Sequence, residues 1–192
     1  KVYRDPLLKR NVARWVRAED FVVPYTATSL ETAPRYTHQI NYSQDEMKRL
    51  QNSGFFINTP LSIPDGTSSS LTEYDEAKAR AEGKENPDQI EEDREHVIYE
   101  TSLFMTLPGF EREDGLAQPY IVTVERDSQK VLAIRRGWVE DGDEFERDVN
   151  FFHYVFIRGD GFYGYGIIHL AGGLGDAASD LLQTILDSAA FS

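Results

Sequence analysis

Residues 151–190 read FFHYVFIRGDGFYGYGIIHLAGGLGDAASDLLQTILDSAA. The aromatic run 151–156 predicts a strand, and the glycines of 159–166 predict a loop after it. Residues 167–189 predict one long helix, because their apolar side chains recur every three or four positions. A strand, a glycine-rich loop and a helix in this order also occur in dinucleotide-binding proteins, so the function of the chain depends on what this joint does.

A dinucleotide site requires its first strand to lie in a parallel sheet, with an acidic residue at the end of the next strand. Asp180 has about the required distance from the glycines, but it falls inside the predicted helix and no second strand follows it. We therefore interpret the glycines of 159–166 as a tight joint in which aromatic rings pack. A nucleotide-binding enzyme is the less favoured interpretation.

The predicted helix carries an apolar stripe at helical spacing, formed by Ile167, Leu170, Leu174, Ala178, Leu181, Ile185 and Ala189. Near its start, Gly172, Gly173 and Gly175 each cost about 1 kcal/mol relative to alanine, which predicts that another backbone lies close to this turn. The opposite side is polar and consists of His169, Asp176, Asp180, Gln183 and Asp187. That side is either the solvated face of a core helix or an acidic wall formed by several packed copies.

Antiparallel strands account for most of the remaining predicted structure. Residues 35–42 alternate, which places Tyr36, His38, Ile40 and Tyr42 on one face. Ser43 and Glu46 form a capping box that starts a short helix, and Gly54 ends it. Further strands are predicted at 11–23, 96–105, 120–124 and 131–136, the last two joined as a hairpin through 127–130. The expected fold class is α+β: antiparallel strands and a hairpin with a short capped helix and one long C-terminal helix.

Composition divides the chain into four segments: an α/β segment (1–57), an acidic mobile insertion or linker (58–95), an antiparallel β segment (96–166) and the long helix (167–192). The insertion shows the largest shift, since eleven acids oppose four bases between residues 65 and 95. A helix is predicted inside it over 72–82, and a second acidic loop over 140–144.

Basic residues crowd the start of the chain, namely Lys1, Arg4, Lys9, Arg10, Arg14 and Arg17. We interpret them as a solvated face, with a contact to a partner or a phosphate as the alternative. The first residue is not methionine and no signal sequence follows it, so we expect the chain to be an internal piece of a longer protein.

Composition and motifs also exclude several kinds of site. The absence of cysteine removes disulfides, thiolate metal ligands and cysteine nucleophiles. The four histidines lack metal-ligand spacing, and no nucleophile elbow or phosphate loop is present, so we expect no metal, no cofactor and no enzyme. No apolar run is long enough to span a membrane. A net charge of −13 argues against a protein that grips nucleic acid tightly.

Four blocks, in this order, resemble the portal (head-to-tail connector) proteins of short-tailed bacteriophages: RAEDFVVPYTATSLETAPRYTHQINYSQDEMKRL, YETSLFMTLPGFEREDG, PYIVTVERDSQKVLAIRRGW and HYVFIRGDGFYGYGIIHLAGGLGDAASDLLQTILDSA. The resemblance covers nearly the whole chain apart from 58–95. The sequence departs from the family at Ala18, where proline is usual, and portal subunits are several times longer than this chain.

The resemblance implies a homo-oligomeric ring, typically a dodecamer, at one vertex of the virion capsid. Double-stranded DNA passes non-specifically through such a ring during viral genome packaging and ejection, and terminase, capsid and tail proteins are its partners. Assembly takes place in the host bacterial cytoplasm. The strands here resemble the wing region, with 1–57 as a wing-type segment, and the long helix is similar to a stem helix. Portal proteins have no catalytic residue, so none is transferred to this chain.

In such a ring, the small-residue turn supplies the candidate subunit-packing residues, namely Gly172, Gly173, Leu174, Gly175 and Ala178. The candidate channel-facing residues are Asp176, Asp180 and Asp187. The alternative that the residues leave open is a non-enzymatic binding module, in which an exposed sheet and an acidic loop hold a basic partner.

Overall fold

The computed structural model describes residues 1–61, 80–81, 83, 95–138 and 146–190 of the chain. Its strands are β1 (Val2–Arg4), β2 (Asn11–Ala13), β3 (Phe21–Val22), β4 (Arg35–Tyr42), β5 (His96–Met105), β6 (Gln118–Glu125) and β7 (Val131–Arg136). Its helices are α1 (Gln44–Asn52) and α2 (Ile167–Ala190). Every strand pair in this described part is antiparallel, so the expected α+β class is confirmed.

A five-stranded sheet in the order β3-β4-β5-β6-β7 forms the body of the protein. β4 pairs with β5 over its whole length, from Arg35 opposite Leu103 to Tyr42 opposite His96. The pairing joins a strand that precedes residue 58 to one that follows residue 95, so segments 1–57 and 96–166 share one sheet. A separate two-stranded sheet, β1-β2, lies at the start of the chain. Its first strand was not predicted from the sequence.

The capping box predicted for α1 is confirmed. The Ser43 hydroxyl accepts from the backbone N–H of Glu46 at 3.3 Å, and the Glu46 carboxylate accepts from the backbone N–H of Ser43 at 3.1 Å. Gly54 follows the helix with φ +76°, a conformation that glycine adopts without steric cost. The apolar side of α1 packs on the sheet in a buried cluster of Met47, Leu50, Phe56, Ile98, Leu132 and Ala133.

A second buried cluster joins the start of the chain to the segment that precedes α2. Its members are Phe21, Leu30, Tyr36 and Phe162, with Phe151 packed against them. The ring centroids of Phe21 and Phe151 are 4.8 Å apart, and those of Phe21 and Phe162 are 6.0 Å apart. Buried Arg147 donates to the carbonyl oxygens of Leu30 at 2.6 Å and Ala33 at 2.7 Å. This cluster therefore holds the base of α2 against the sheet domain.

Two sequence predictions need correction. Residues 151–156 are not a strand: the only bridge in this region pairs Ile157 with Tyr165. Aromatic residues favour strands, but a strand also needs a backbone partner, and none among the described residues runs beside this segment. The β6–β7 connection is 126–130, one residue longer than the expected 127–130, because Arg126 belongs to neither strand.

Two other predictions fall outside the described residues. They are the helix over 72–82, apart from positions 80 and 81, and the acidic loop over 140–144.

The glycines before α2 make the tight joint that the sequence predicts. A Cβ atom on Gly164 would lie closer than 3.0 Å to both Val155 Cγ1 and the Ile157 carbonyl oxygen, and one on Gly159 would lie 3.1 Å from the Tyr165 ring. Gly161 is different, because nothing lies within 4 Å of the corresponding position.

We expect Gly164→Ala to lower the free energy of unfolding by about 1–3 kcal/mol, because the added methyl group has no free space. Gly161→Ala is the matched control and should change it by less than about 0.5 kcal/mol. Urea denaturation followed by circular dichroism measures both values. Equal midpoints for the two variants would show that the joint is not tightly packed.

Candidate interaction surface

The long helix α2 is exposed on every side. Its 24 residues include large apolar side chains that are about two-thirds exposed, such as Leu174 at 75% and Leu181 at 66%. None of the described strands packs along it. Interpreting α2 as a core helix with one solvated face is therefore wrong for this chain by itself.

The candidate packing residues lie on the first half of α2, and no other described element packs against their glycines. A Cβ atom on Gly173 or Gly175 would meet nothing within 4 Å, and one on Gly172 would meet only Ile168 of the same helix, at 3.8 Å. The backbone that these glycines were expected to approach is not supplied by the described part of the chain. Any close packing that offsets their cost to helix stability therefore comes from outside the described residues.

Helix geometry divides these candidates between two sides. At 100° per residue, Leu174 and Ala178 lie close together on the apolar stripe. Gly172 and Gly173 lie nearer the polar side, and Gly175 lies between the two. Leu174 and Ala178 are therefore the candidates that share a face with the exposed leucines.

The candidate channel-facing residues share the opposite side of α2. Asp176, Asp180 and Asp187 are exposed and fall within about 40° of one another around the helix axis. The helix contains no lysine or arginine, so no side chain of either type offsets the charge of these aspartates.

Aromatic side chains fix the point where α2 leaves the domain. The Tyr163 hydroxyl donates to the carbonyl oxygen of Phe21 in β3, and the His153 ring stacks on Phe162 with centroids 4.0 Å apart. The backbone N–H of Gly166 donates to His169 Nδ1 at 3.1 Å, which satisfies a free donor at the start of the helix. The glycines follow an unpaired segment beside an antiparallel sheet, which differs from the parallel strand that a dinucleotide site requires.

An aromatic groove lies beside this joint. We define it by the residues that line it on both sides, chiefly Trp15, Phe152, Tyr154, Phe156, Tyr163 and Tyr165; its volume is about 770 Å³. Tyr154 is 95% exposed and Trp15 is 81% exposed. The aromatic run 151–156, which predicts a strand, in fact lines this groove, and no pattern in the sequence points to Trp15 as part of it.

The basic start of the chain is only partly the solvated face that was expected. Lys1 is buried, and its ammonium group pairs with the Glu100 carboxylate, which also accepts from Arg135 Nη2 at 2.8 Å. Burial alone would raise the pKa of Glu100, but Lys1 and Arg135 hold it below its usual value. Burial lowers the pKa of Lys1 despite this pairing. Arg14 and Arg17, by contrast, are exposed.

A second buried pair of polar side chains lies near the start of β5. His96 Nδ1 and Glu125 Oε1 are 2.5 Å apart, and the Ser128 hydroxyl donates to the same carboxylate. The serine does not meet the imidazole, so the order differs from that of a nucleophile activated by a histidine base. The pair ties β5 to the β6–β7 turn, which is a structural role.

The described residues contain no group of histidines, cysteines and acids close enough to hold a metal ion. None of the helices in the described ranges is both long and apolar enough to cross a membrane. Comparison with protein-family models and with curated proteins gives no match for this chain.

Burial lowers the pKa of His38 to about 4 from the ordinary value of 6.5, with the Lys1 charge adding to the effect. Since the unfolded chain takes up this proton at a higher pH than the folded chain, the stability from neutral His38 is complete above pH 6.5. It is lost as the pH falls toward 4, by up to about 3 kcal/mol.

We expect His38→Gln to reduce the pH dependence of the free energy of unfolding between pH 6.5 and 4, because glutamine takes up no proton. Urea titrations of both proteins at several pH values measure it. Above pH 7 the difference between the two proteins should be constant, which serves as the internal control. If the free energies of unfolding of the two proteins change in parallel down to pH 4, the pH dependence does not come from His38.

Proposed function

We propose that this chain is a structural part of a bacteriophage portal subunit. Copies of the subunit form a ring, typically a dodecamer, at the capsid vertex of the virion, and the ring encloses the DNA channel used for genome packaging and ejection. Terminase, capsid and tail proteins are its partners, and it assembles in the host cytoplasm. Its role is non-enzymatic.

The observation that carries the proposal is the exposure of α2. A helix of 24 residues with leucines and isoleucines mostly exposed leaves a large apolar area in water. Burying such area contributes about 25 cal/mol per Å², so contact with other copies would stabilise the helix strongly. The ordered blocks that resemble portal proteins independently suggest that these copies form a ring.

The joint before α2 suits a helix that serves assembly. Phe162 is buried in the second core cluster, and Tyr163 is hydrogen-bonded to β3. The helix is thus held at one end by the domain while the rest of it stays available. A rigid base lets each copy present α2 in the same direction, which a symmetric ring requires.

The charge pattern fits a channel through which DNA slides. Lysine and arginine in a channel wall bind phosphates and release counterions, which produces affinity that would retard movement. The exposed acids of α2 avoid this effect, and the net charge of −13 agrees with a wall that does not grip DNA.

Electron microscopy of the full-length protein containing this chain tests the proposal. Ring-shaped particles with a central channel are expected, because closed rings follow from head-to-tail contacts that repeat by rotation. A protein that stays monomeric at micromolar concentration would count against the portal assignment. The 192-residue chain by itself need not complete the ring.

A variant of the apolar stripe separates assembly from folding. Leu174 is 75% exposed, so Leu174→Glu should change the free energy of unfolding of the monomer by less than about 0.5 kcal/mol. In the full-length protein it should abolish rings, because the stripe would carry a charge into the contact.

The matched control is Gln183→Glu, which adds the same charge to the polar side of the same helix and should leave rings intact. Particle counts in negative stain, with circular dichroism of both variants, make the comparison. If the Leu174→Glu protein forms rings, or if both variants lose them, the apolar stripe of α2 is not the assembly contact.

A further inference from the structure

The geometry points to the aromatic groove as the receptor for α2 of a second copy of this chain. We infer that the apolar stripe of α2 from one copy lies in the groove of its neighbour. This inference rests on the proposed ring, and it names the two surfaces that meet. Every copy carries both surfaces, and each contact joins the stripe of one copy to the groove of the next.

The groove has the composition of a binding surface. Its exposed rings come from an extended segment, in which Phe152, Tyr154 and Phe156 are 69%, 95% and 71% exposed, and from Trp15 across the groove. Tryptophan and tyrosine supply much of the energy in protein interfaces, because they bury a large area for little loss of rotational freedom. A cluster of such rings in water is costly unless a partner covers it.

The stripe of α2 has the matching chemistry. It is aliphatic, its large side chains are between 58% and 75% exposed, and the helix is about 36 Å long at 1.5 Å per residue. An amphipathic helix in an apolar groove is a common mode of recognition. The short side chain of Ala178, which lies on the stripe, allows the helix backbone to approach flat aromatic rings closely.

Charge favours the same pairing over others. Every charged side chain that lines the groove is basic, namely Lys1, Arg14 and Arg17. α2 carries three aspartates and no basic residue. As two copies approach, two α2 helices repel each other, whereas α2 and the groove attract each other. This attraction acts mainly on the rate of encounter, since the aspartates face away from the stripe.

The geometry of the contact also fits a ring. A contact between two different surfaces is heterologous, and it leaves one groove and one helix free on every dimer. Further copies are therefore added until the rotation between successive copies closes the ring. A contact between two α2 helices related by a two-fold axis would instead stop at a dimer.

Disulfide trapping tests the pairing, because the chain has no native cysteine. Ala18 lines the groove and is exposed, so Ala18→Cys places one thiol there. It is mixed with single-cysteine variants of the stripe (Leu174→Cys, Ala178→Cys, Leu181→Cys) or of the polar side (Asp176→Cys, Gln183→Cys, Asp187→Cys). Since each molecule has one thiol, every mixed disulfide joins two copies.

We expect mixed dimers from at least one stripe variant at a yield about tenfold above that of the polar-side variants. Equal yields from both sets, no mixed dimer at all, or only homodimers of the α2 variants would overturn the inference. If the full-length protein forms rings without these cross-links, the groove assignment fails while the portal proposal stands. If the cross-links form but the full-length protein forms no rings, the groove assignment stands while the portal proposal fails.

Affinity gives a second test on the 192-residue chain by analytical ultracentrifugation. Trp15→Ala with Tyr154→Ala should weaken self-association by roughly 30-fold or more, since both rings are central to the groove. Tyr25→Ala is the matched control, because Tyr25 is fully exposed at 102% but does not line the groove. Equal weakening by both changes would overturn it.

Discussion

The fold depends on the pairing of β4 with β5. These strands are separated in sequence by the acidic segment 58–95, yet eight residues of β4 stand opposite eight of β5. The Thr37 and Thr101 hydroxyls, which face each other in this register, are 3.0 Å apart. A slip of one residue would turn every side chain of β4 to the other face of the sheet. Tyr36, His38 and Ile40, which are buried, would then leave the core.

From that sheet the structure leads directly to α2. Tyr36 of β4 belongs to the cluster that contains Phe21 and Phe162, so the register of β4 also positions the joint before the helix. The joint is crowded at Gly164 and open at Gly161. The domain therefore holds α2 firmly at its base, although it covers almost none of the helix. An element that is fixed at one end and apolar along its length is suited to binding another molecule.

Buried charge is the main cost of this arrangement. The side chains of Lys1 and Glu100 are only 8% and 16% exposed and pair with each other, and Glu100 also pairs with the half-buried Arg135. Such groups need partners, because an unpaired buried charge destabilises a protein by several kcal/mol. Their pairing joins elements far apart in sequence, such as β1 to β5 and β5 to β7. These contacts connect the start of the chain to the sheet, where the sequence suggested only a solvated basic face.

The local elements followed from local sequence. The bounds of β4, β5, α1 and α2 agree with the prediction to within one or two residues, because alternation, a capping box and a stripe of leucines are signals carried by neighbouring positions. Segment 151–156 was predicted wrongly, because its composition favours a strand but pairing depends on a second backbone. Likewise, Trp15 and Tyr154 line the same groove, and no spacing in the sequence indicates that they do.

The amino-acid sequence by itself determined the α+β class, the helix α2 and the small-residue turn at its start. Tertiary structure alone decided that α2 lies outside the core and that aromatic rings form a groove beside its base. The physical reason is that helical and strand periodicity arise from chain geometry within a few residues. Burial depends on which distant surfaces meet, and here the sheet is already covered by α1, β1-β2 and the segment that leads to α2.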